Sequence, residues 1–229
     1  GRMTSEAAIL QARFREGLAL HRQADLAGAE RIYREVLEKQ PSHFDSLHML
    51  GVVALQRRQT EAGIALIGQA IGVNDAVAAA HNNLGKAHFD LKHPEAALPC
   101  FERALALDAD FREAHLNRAN ALLALRRSEE ALASYQHALA LRPEAEIHRN
   151  CGNILSRLKR HREAFAAYDN AWRLKPDLLG IEGHRFDAKL HLGDWENLER
   201  DAANLVASVR AGKASSQPFI FLAAPGTAA

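Results

Sequence analysis

Leucine- and alanine-rich stretches of helical periodicity alternate along the chain with short polar breaks such as Arg126-Arg127-Ser128 and Lys159-Arg160-His161. The pattern predicts pairs of helices, and the pairs repeat. Small residues stand at Gly17, Gly51, Gly85, Ala119 and Gly152, spaced 34, 34, 34 and 33 apart. Twelve residues after each comes a second small residue: Ala29, Gly63, Ala97, Ala131 and Ala164. Four further on stands a bulky one: Tyr33, Ile67, Phe101, Tyr135 and Tyr168. A column of Val36, Ala70, Ala104, Ala138 and Ala171 follows, and each unit closes near Pro41, Asp75, Ala109, Pro143 or Pro176. Five columns in register are the signature of a repeat architecture, in which each unit buries its apolar face only against its neighbours.

The residue types give the unit. Small side chains in both helices let two backbones approach closely, and the bulky column fills the space towards the next helix. Proline ends the second helix, since it lacks an N–H and disfavours helical geometry in the residue before it. Over residues 10–178 this pattern resembles the tetratricopeptide repeat (TPR). The resemblance implies an all-α, right-handed superhelical solenoid of five units, 10–43, 44–77, 78–111, 112–144 and 145–178. Four positions depart from the motif: Glu16, Arg118, Gly63 and Asp75. Repeat 1, being terminal, is expected to carry the polar outer face of a cap. Repeat 2, with Gly63, Gly68 and Gly72 in its second helix, is expected to be the softest unit, because each internal glycine costs about 0.5–1 kcal/mol relative to alanine.

Past residue 178 the columns stop. Ile181–Leu192 and Trp195–Val209 read as an additional helix pair within 179–211, and 212–229 as a tail or linker holding the apolar run Pro218-Phe219-Ile220-Phe221-Leu222. Gly1-Arg2 ahead of Met3 resembles a scar left by tag removal, so 1–9 is expected to be a tail, and Gly1 to Ser5 does not read as a signal peptide.

Composition narrows the function classes. With 29 Lys+Arg against 28 Asp+Glu, a net charge of +1 gives no basic excess for nucleic acid or an anionic membrane. No apolar run approaches a membrane span. Two cysteines among 229 residues fit a reducing, cytoplasmic setting, and no cofactor is implied. His81, His115 and His148 fall in one repeat column and read as packing residues without a shared coordination sphere, and His88 and His93 miss the spacing of a helical ligand pair. Cys100 and Cys151 read as small core residues and Trp195 as a plug between the last helices; no catalytic residue is expected.

In a solenoid of this type the first helix of each pair lines the concave face. Two before each small residue stand Arg15, Met49, Asn83, Asn117 and Asn150; just after it stand Leu18, Val52, Lys86, Asn120 and Asn153. Repeats 3 to 5 therefore present carboxamides in rows, with Asn82 adding one at the first rung. A carboxamide both donates and accepts, so such rows can clamp the backbone of an extended peptide. The same residues can instead support neighbouring helices, and the sequence leaves both readings open.

A second resemblance covers Lys189-Leu190-His191-Leu192-Gly193-Asp194-Trp195, a helix, and then Pro218 to Leu222. It is similar to the junction between repeats and catalytic domain in bacterial O-linked N-acetylglucosamine transferase-like, SPINDLY-type proteins, with Gly193 where that family has cysteine. The resemblance implies an inner ladder matching Asn83, Asn117 and Asn150 that holds acceptor peptides, and a catalytic domain beginning where this chain stops. The expected function is thus a non-catalytic protein-interaction module that binds extended peptides in its groove. Two alternatives stand beside it: the substrate-recognition arm of a longer protein O-glycosyltransferase, inactive in this piece, and a homo-oligomerisation scaffold.

The apolar run at 218–222 lies beyond the last amphipathic stretch, so deleting 213–229 is expected to leave the helical array folded. Urea unfolding followed by circular dichroism checks this; loss of a cooperative transition would make the segment part of the core.

Overall fold

The computed structural model describes residues 2–193 and 197–211. Among them the chain forms twelve helices and no strand: α1 (Arg2–Arg22), α2 (Leu26–Lys39), α3 (Phe44–Gln56), α4 (Thr60–Val73), α5 (Ala78–Asp90), α6 (Pro94–Leu107), α7 (Arg112–Ala124), α8 (Ser128–Leu141), α9 (Ala145–Arg157), α10 (His161–Leu174), α11 (Ile181–His191) and α12 (Leu198–Arg210). The fold is all-α, of the repeat type expected. The chain divides into two compact units, Gly1–Arg127 and Ser128–Ala229.

In the first unit, α1 packs on α2, α3 on α4 and α5 on α6, and each pair meets the helix that follows. The bulky column is the buried filler throughout the chain: Tyr33, Ile67, Phe101, Tyr135 and Tyr168 are at most 3% exposed. It sits against the small column. A Cβ on Gly17 would lie 2.7 Å from Tyr33 Cε1, and one on Gly85 would lie 2.7 Å from Phe101 Cε1. In the second unit Gly152 faces the ring of Tyr168 in the same way, as α9 packs on α10. Side chains at these glycines would have to displace a ring.

The turn inside each pair follows one rule. Ala24, Arg58, Lys92, Arg126 and Lys159 have φ between 59° and 65°, the left-handed region. The next residue returns its N–H to the carbonyl five residues back, as in Gln59 to Ala54 at 2.8 Å and Arg160 to Leu155 at 2.9 Å. This 6→1 bond around a left-handed residue is the Schellman closure, which satisfies carbonyls the helix end leaves open. The second helices end whether or not proline follows. Asn74 and Asp108 each return their N–H to the carbonyl four residues back, at 3.0 and 2.9 Å, where Asp75 and Ala109 replace the proline.

Three expectations change. α1 begins at Arg2, so residues 2–9, read as a tail, prolong the first helix; Glu6-Ala7-Ala8-Ile9-Leu10 contains no breaker to stop it. α12 begins at Leu198 rather than at Trp195, after Asn197 at φ 58°. Trp195, the Asp194-Trp195 junction and the run Pro218 to Leu222 lie outside the described residues. Gly63 is not simply a weak point either. Its Cβ would lie 3.1 Å from the Gly51 carbonyl oxygen, so α3 and α4 come together through two glycines. The repeat register ends where Phe186 stands 34 residues after Gly152. Phe186 cannot fill a small-residue position, and it forms its own cluster with Ala202 and Leu205 between α11 and α12.

Gly68 and Gly72 have nothing within 4 Å of a built Cβ, so their only effect is on the backbone. Gly68→Ala and Gly72→Ala should each stabilise by about 0.5–1 kcal/mol, whereas Gly51→Ala should destabilise, because Ile67 Cγ1 lies 2.6 Å from its Cβ. Urea midpoints measure both signs. Hydrogen exchange should show lower protection at 60–73 than at 94–107 in the wild type; equal protection would mean that the close α3–α4 packing compensates for the open glycines.

Candidate peptide-binding face

In the first unit the first helices α3, α5 and α7 are direct neighbours, α5 touching both others. Their shared face carries the expected binding residues, and the structure gives each a distinct position. Lys86 and Asn120 are exposed; Asn83 and Asn117 are half-buried one helical turn before them. Met49 and Val52, at the same positions of α3, are half-buried, and Arg15 on α1 is exposed. In the second unit Asn150 and Asn153 are half-buried on α9.

The asparagines bridge helices. Asn83 Nδ2 donates to His48 Nε2 at 3.0 Å, tying α5 to α3. Asn117 Nδ2 donates to Asn82 Oδ1 at 2.9 Å, tying α7 to α5. The two bonds span the same sequence distance, 35 residues. His48 and Asn82 occupy one repeat column, so a polar residue there receives the carboxamide of the next repeat. Leu116 ends that column, and Asn150 instead hydrogen-bonds Tyr135. Asn153 Oδ1 accepts from the Tyr168 hydroxyl at 3.0 Å.

Asn82 requires a correction. It is 1% exposed, and its amide also donates to Glu113 Oε1 at 3.3 Å. With both edges engaged inside the helix stack it has nothing to offer a ligand, and it acts between helices. A buried carboxamide left unpaired would cost about 1–3 kcal/mol, which is why both of its edges are matched.

The histidine column also has a use that the sequence reading missed. His81 Nε2 donates to the Asp75 carbonyl at 2.8 Å, and His115 Nε2 to the Ala109 carbonyl at 2.9 Å. Each closes the linker between repeats onto the helix after it. Among the described residues no three His, Cys, Asp or Glu side chains could hold a metal ion. Burial pushes the Cys151 thiol up to about 12 and raises that of half-buried Cys100, so neither supplies a thiolate at neutral pH.

Burial holds the pKa of His48 below its ordinary value, against a smaller upward pull from Asp45. The neutral ring suits the geometry, since only an unprotonated Nε2 can accept from Asn83. Burial likewise lowers His148 and His184. The folded state therefore binds fewer protons than the unfolded chain just below the ordinary histidine value of about 6.5, and stability rises with pH in that window. It should be fully present above pH 7 and decline as pH falls through 6.5. The urea midpoint measured from pH 8 to pH 5 checks this, and His48→Gln should flatten part of the slope.

The tetratricopeptide repeat model matches residues 78–111 and 112–145. A comparison with curated proteins gives no match. Among solved structures, pilF of Pseudomonas aeruginosa superposes with a TM-score of 0.72 at 15% identity, over 95% of this chain and 97% of that one. MamA of Desulfovibrio magneticus gives 0.67 at 17%, over 73% and 95%. YrrB, described as "a TPR protein with an unusual peptide-binding site", gives 0.64 at 21%, over 72% and 86%. At these identities the likeness is one of fold. Residues 78–145 carry two tetratricopeptide repeats, and the fold around them is of the all-α tetratricopeptide type.

Proposed function

We propose that this chain is a protein-interaction module whose first-helix face on α3, α5 and α7 takes an extended peptide. The carrying observation is the pair of parallel clamps, Asn83 on His48 and Asn117 on Asn82. Each fixes one carboxamide by its N–H side while the side chain stays half-exposed, so an acceptor edge is held in place before any ligand arrives. Lys86 and Asn120 stand exposed one turn further along. An extended backbone offers N–H groups at regular rise to such acceptors, and Lys86 can receive a carbonyl or a carboxylate. Asn150 and Asn153 give α9 in the second unit a similar, separate polar edge. The peptide-binding description of YrrB supports the reading by analogy of fold.

Each backbone-directed bond contributes only about 0.5–1.5 kcal/mol net, so binding is weak and broad in sequence. Fluorescence anisotropy of labelled, unstructured decapeptides of mixed sequence should show tens-fold weaker binding to Asn83→Ala/Asn117→Ala. That double variant also loses some stability because both clamps go, so Lys86→Ala/Asn120→Ala, at exposed positions, serves as the second arm. Unchanged binding by both folded variants would mean the carboxamides are scaffold alone.

Two finer readings rest on the sequence. As the arm of a longer protein O-glycosyltransferase, the chain would present acceptor peptides to a domain downstream; sugar transfer with and without that sequence separates this from simple binding. As a homo-oligomerisation scaffold it would associate at micromolar concentration, which light scattering measures. No described helix is long and apolar enough to cross a membrane. Two free thiols suit the reducing cytoplasm.

A further inference from the structure

The two clamps of the first-helix face differ in what stands behind them. Asn83 donates to His48 Nε2, which accepts in one tautomer of the neutral ring and would donate in the other. That bond alone does not fix the direction of the Asn83 carboxamide. Asn117 donates instead to Asn82, which is 1% exposed and has no water to turn towards. Behind Asn82 stands Glu113, whose Oε1 accepts from Asn82 Nδ2 at 3.3 Å. An ionised carboxylate only accepts. With the Asn82 amide reversed, its Oδ1 would face Glu113 Oε1, acceptor against acceptor, inside the helix stack. So fixed, Asn82 offers its Oδ1 to Asn117, and Asn117 must donate to it, at 2.9 Å. The edge that remains is Asn117 Oδ1. It is not shut off from solvent, and it has no partner among the described residues.

We infer that Glu113, acting through Asn82, sets Asn117 as an obligate acceptor, so that a bound peptide must bring a backbone N–H to that rung. The inference rests on the peptide-binding reading of the same face. A carbonyl presented at Asn117 would meet its oxygen and be repelled, and proline, which has no N–H, is refused there. The Asn83 rung, backed by histidine, makes no such demand. The partner is therefore an extended segment with an N–H-bearing residue opposite Asn117 and freer choice one repeat earlier. Glu113 is a positioning residue, exposed in the first turn of α7. A helix start favours a carboxylate there in any case. The direction imposed on Asn82 comes from hydrogen bonding and does not depend on that preference. In the next repeat Leu116 takes the column of Asn82, and the carboxylate at the start of α9, Glu146, pairs with Lys175.

Two measurements on the full chain test this, one with ligand and one without. Fluorescence anisotropy uses the tightest-binding of the mixed decapeptides and its ester scan, in which each residue in turn becomes its α-hydroxy acid and one N–H becomes an oxygen. In the wild type the ester opposite Asn117 should weaken binding about two- to tenfold, the value of one backbone-directed bond. Glu113→Asp still only accepts and should keep that penalty at the same scan position. Glu113→Lys only donates, so it should turn Asn82, and with it Asn117, and abolish the penalty there alone. Glu113→Gln, which accepts or donates, should fall between the two. Each penalty is read within one variant, so any effect of the substitution on the stability of α7 cancels. Without ligand, hydrogen exchange of the side-chain amides by NMR should show the Asn117 NH2 protected in the wild type and in Glu113→Asp but exchanging rapidly in Glu113→Lys. An ester profile that Glu113→Lys leaves unchanged overturns the inference, and so does unchanged protection of Asn117. If no decapeptide binds the wild type, the peptide-binding reading fails, and the exchange result alone decides whether Glu113 sets the direction of Asn117.

Discussion

The contact between a small residue on the first helix of a pair and a bulky residue on the second is the constraint on which this fold depends. Gly17 under Tyr33, Gly51 under Ile67, Gly85 under Phe101 and Gly152 under Tyr168 leave no space for a Cβ without movement of the partner. Close packing at that point sets the distance between the paired helices, because a ring lying on a glycine backbone permits one separation only. The Val36-to-Ala171 column, fully buried at every member, then fits in the remaining gap. Once the pair is fixed, the left-handed turn residue and its Schellman bond have a defined place to form. The rest of each repeat follows from there.

That arrangement was legible in the sequence because it is written in volume, and volume repeats. Hydrogen-bond partners do not show themselves in the same way. The Asn83–His48 and Asn117–Asn82 bonds join residues 35 apart, and nothing about an isolated asparagine tells which edge is taken. The signal was present in weaker form: His48 and Asn82 share a column, and each precedes its carboxamide partner by one repeat and one residue. The five turn residues escaped notice for a different reason. Ala24, Arg58, Lys92, Arg126 and Lys159 share a backbone conformation but no side-chain chemistry, and glycine, the usual marker of that conformation, is absent from all five. The loss of register after Gly152 was visible as a missing column, whereas the packing of Phe186 on Ala202 and Leu205 and the Lys189–Asp201 pair depend on side-chain directions that periodicity does not encode.

On the proposed reading, the polar residues of the first-helix face would have two duties that pull in opposite directions. A carboxamide that only held helices together would be best buried, as Asn82 is at 1% exposure. One that only bound ligand would be best exposed, as Asn120 is. Asn83 and Asn117 lie between, anchored on one side and half-open on the other. That compromise has a physical benefit for weak, backbone-directed recognition. An exposed asparagine loses rotamer freedom when it binds, and this loss is comparable with the net value of one hydrogen bond. Anchoring moves the loss into folding, where burial of the helix pairs offsets it.

The same logic separates the many ion pairs on the surface from the few that lie inside. Pairs such as Arg160–Glu163 and Arg31–Glu35 are exposed, and solvent screening leaves them little net effect. Lys189–Asp201, with side chains only 12% and 18% exposed, lies where screening is weaker and ties α11 to α12. Glu182, in the first turn of α11, needs no partner of that kind, because the unpaired N–H groups at a helix start favour a carboxylate there.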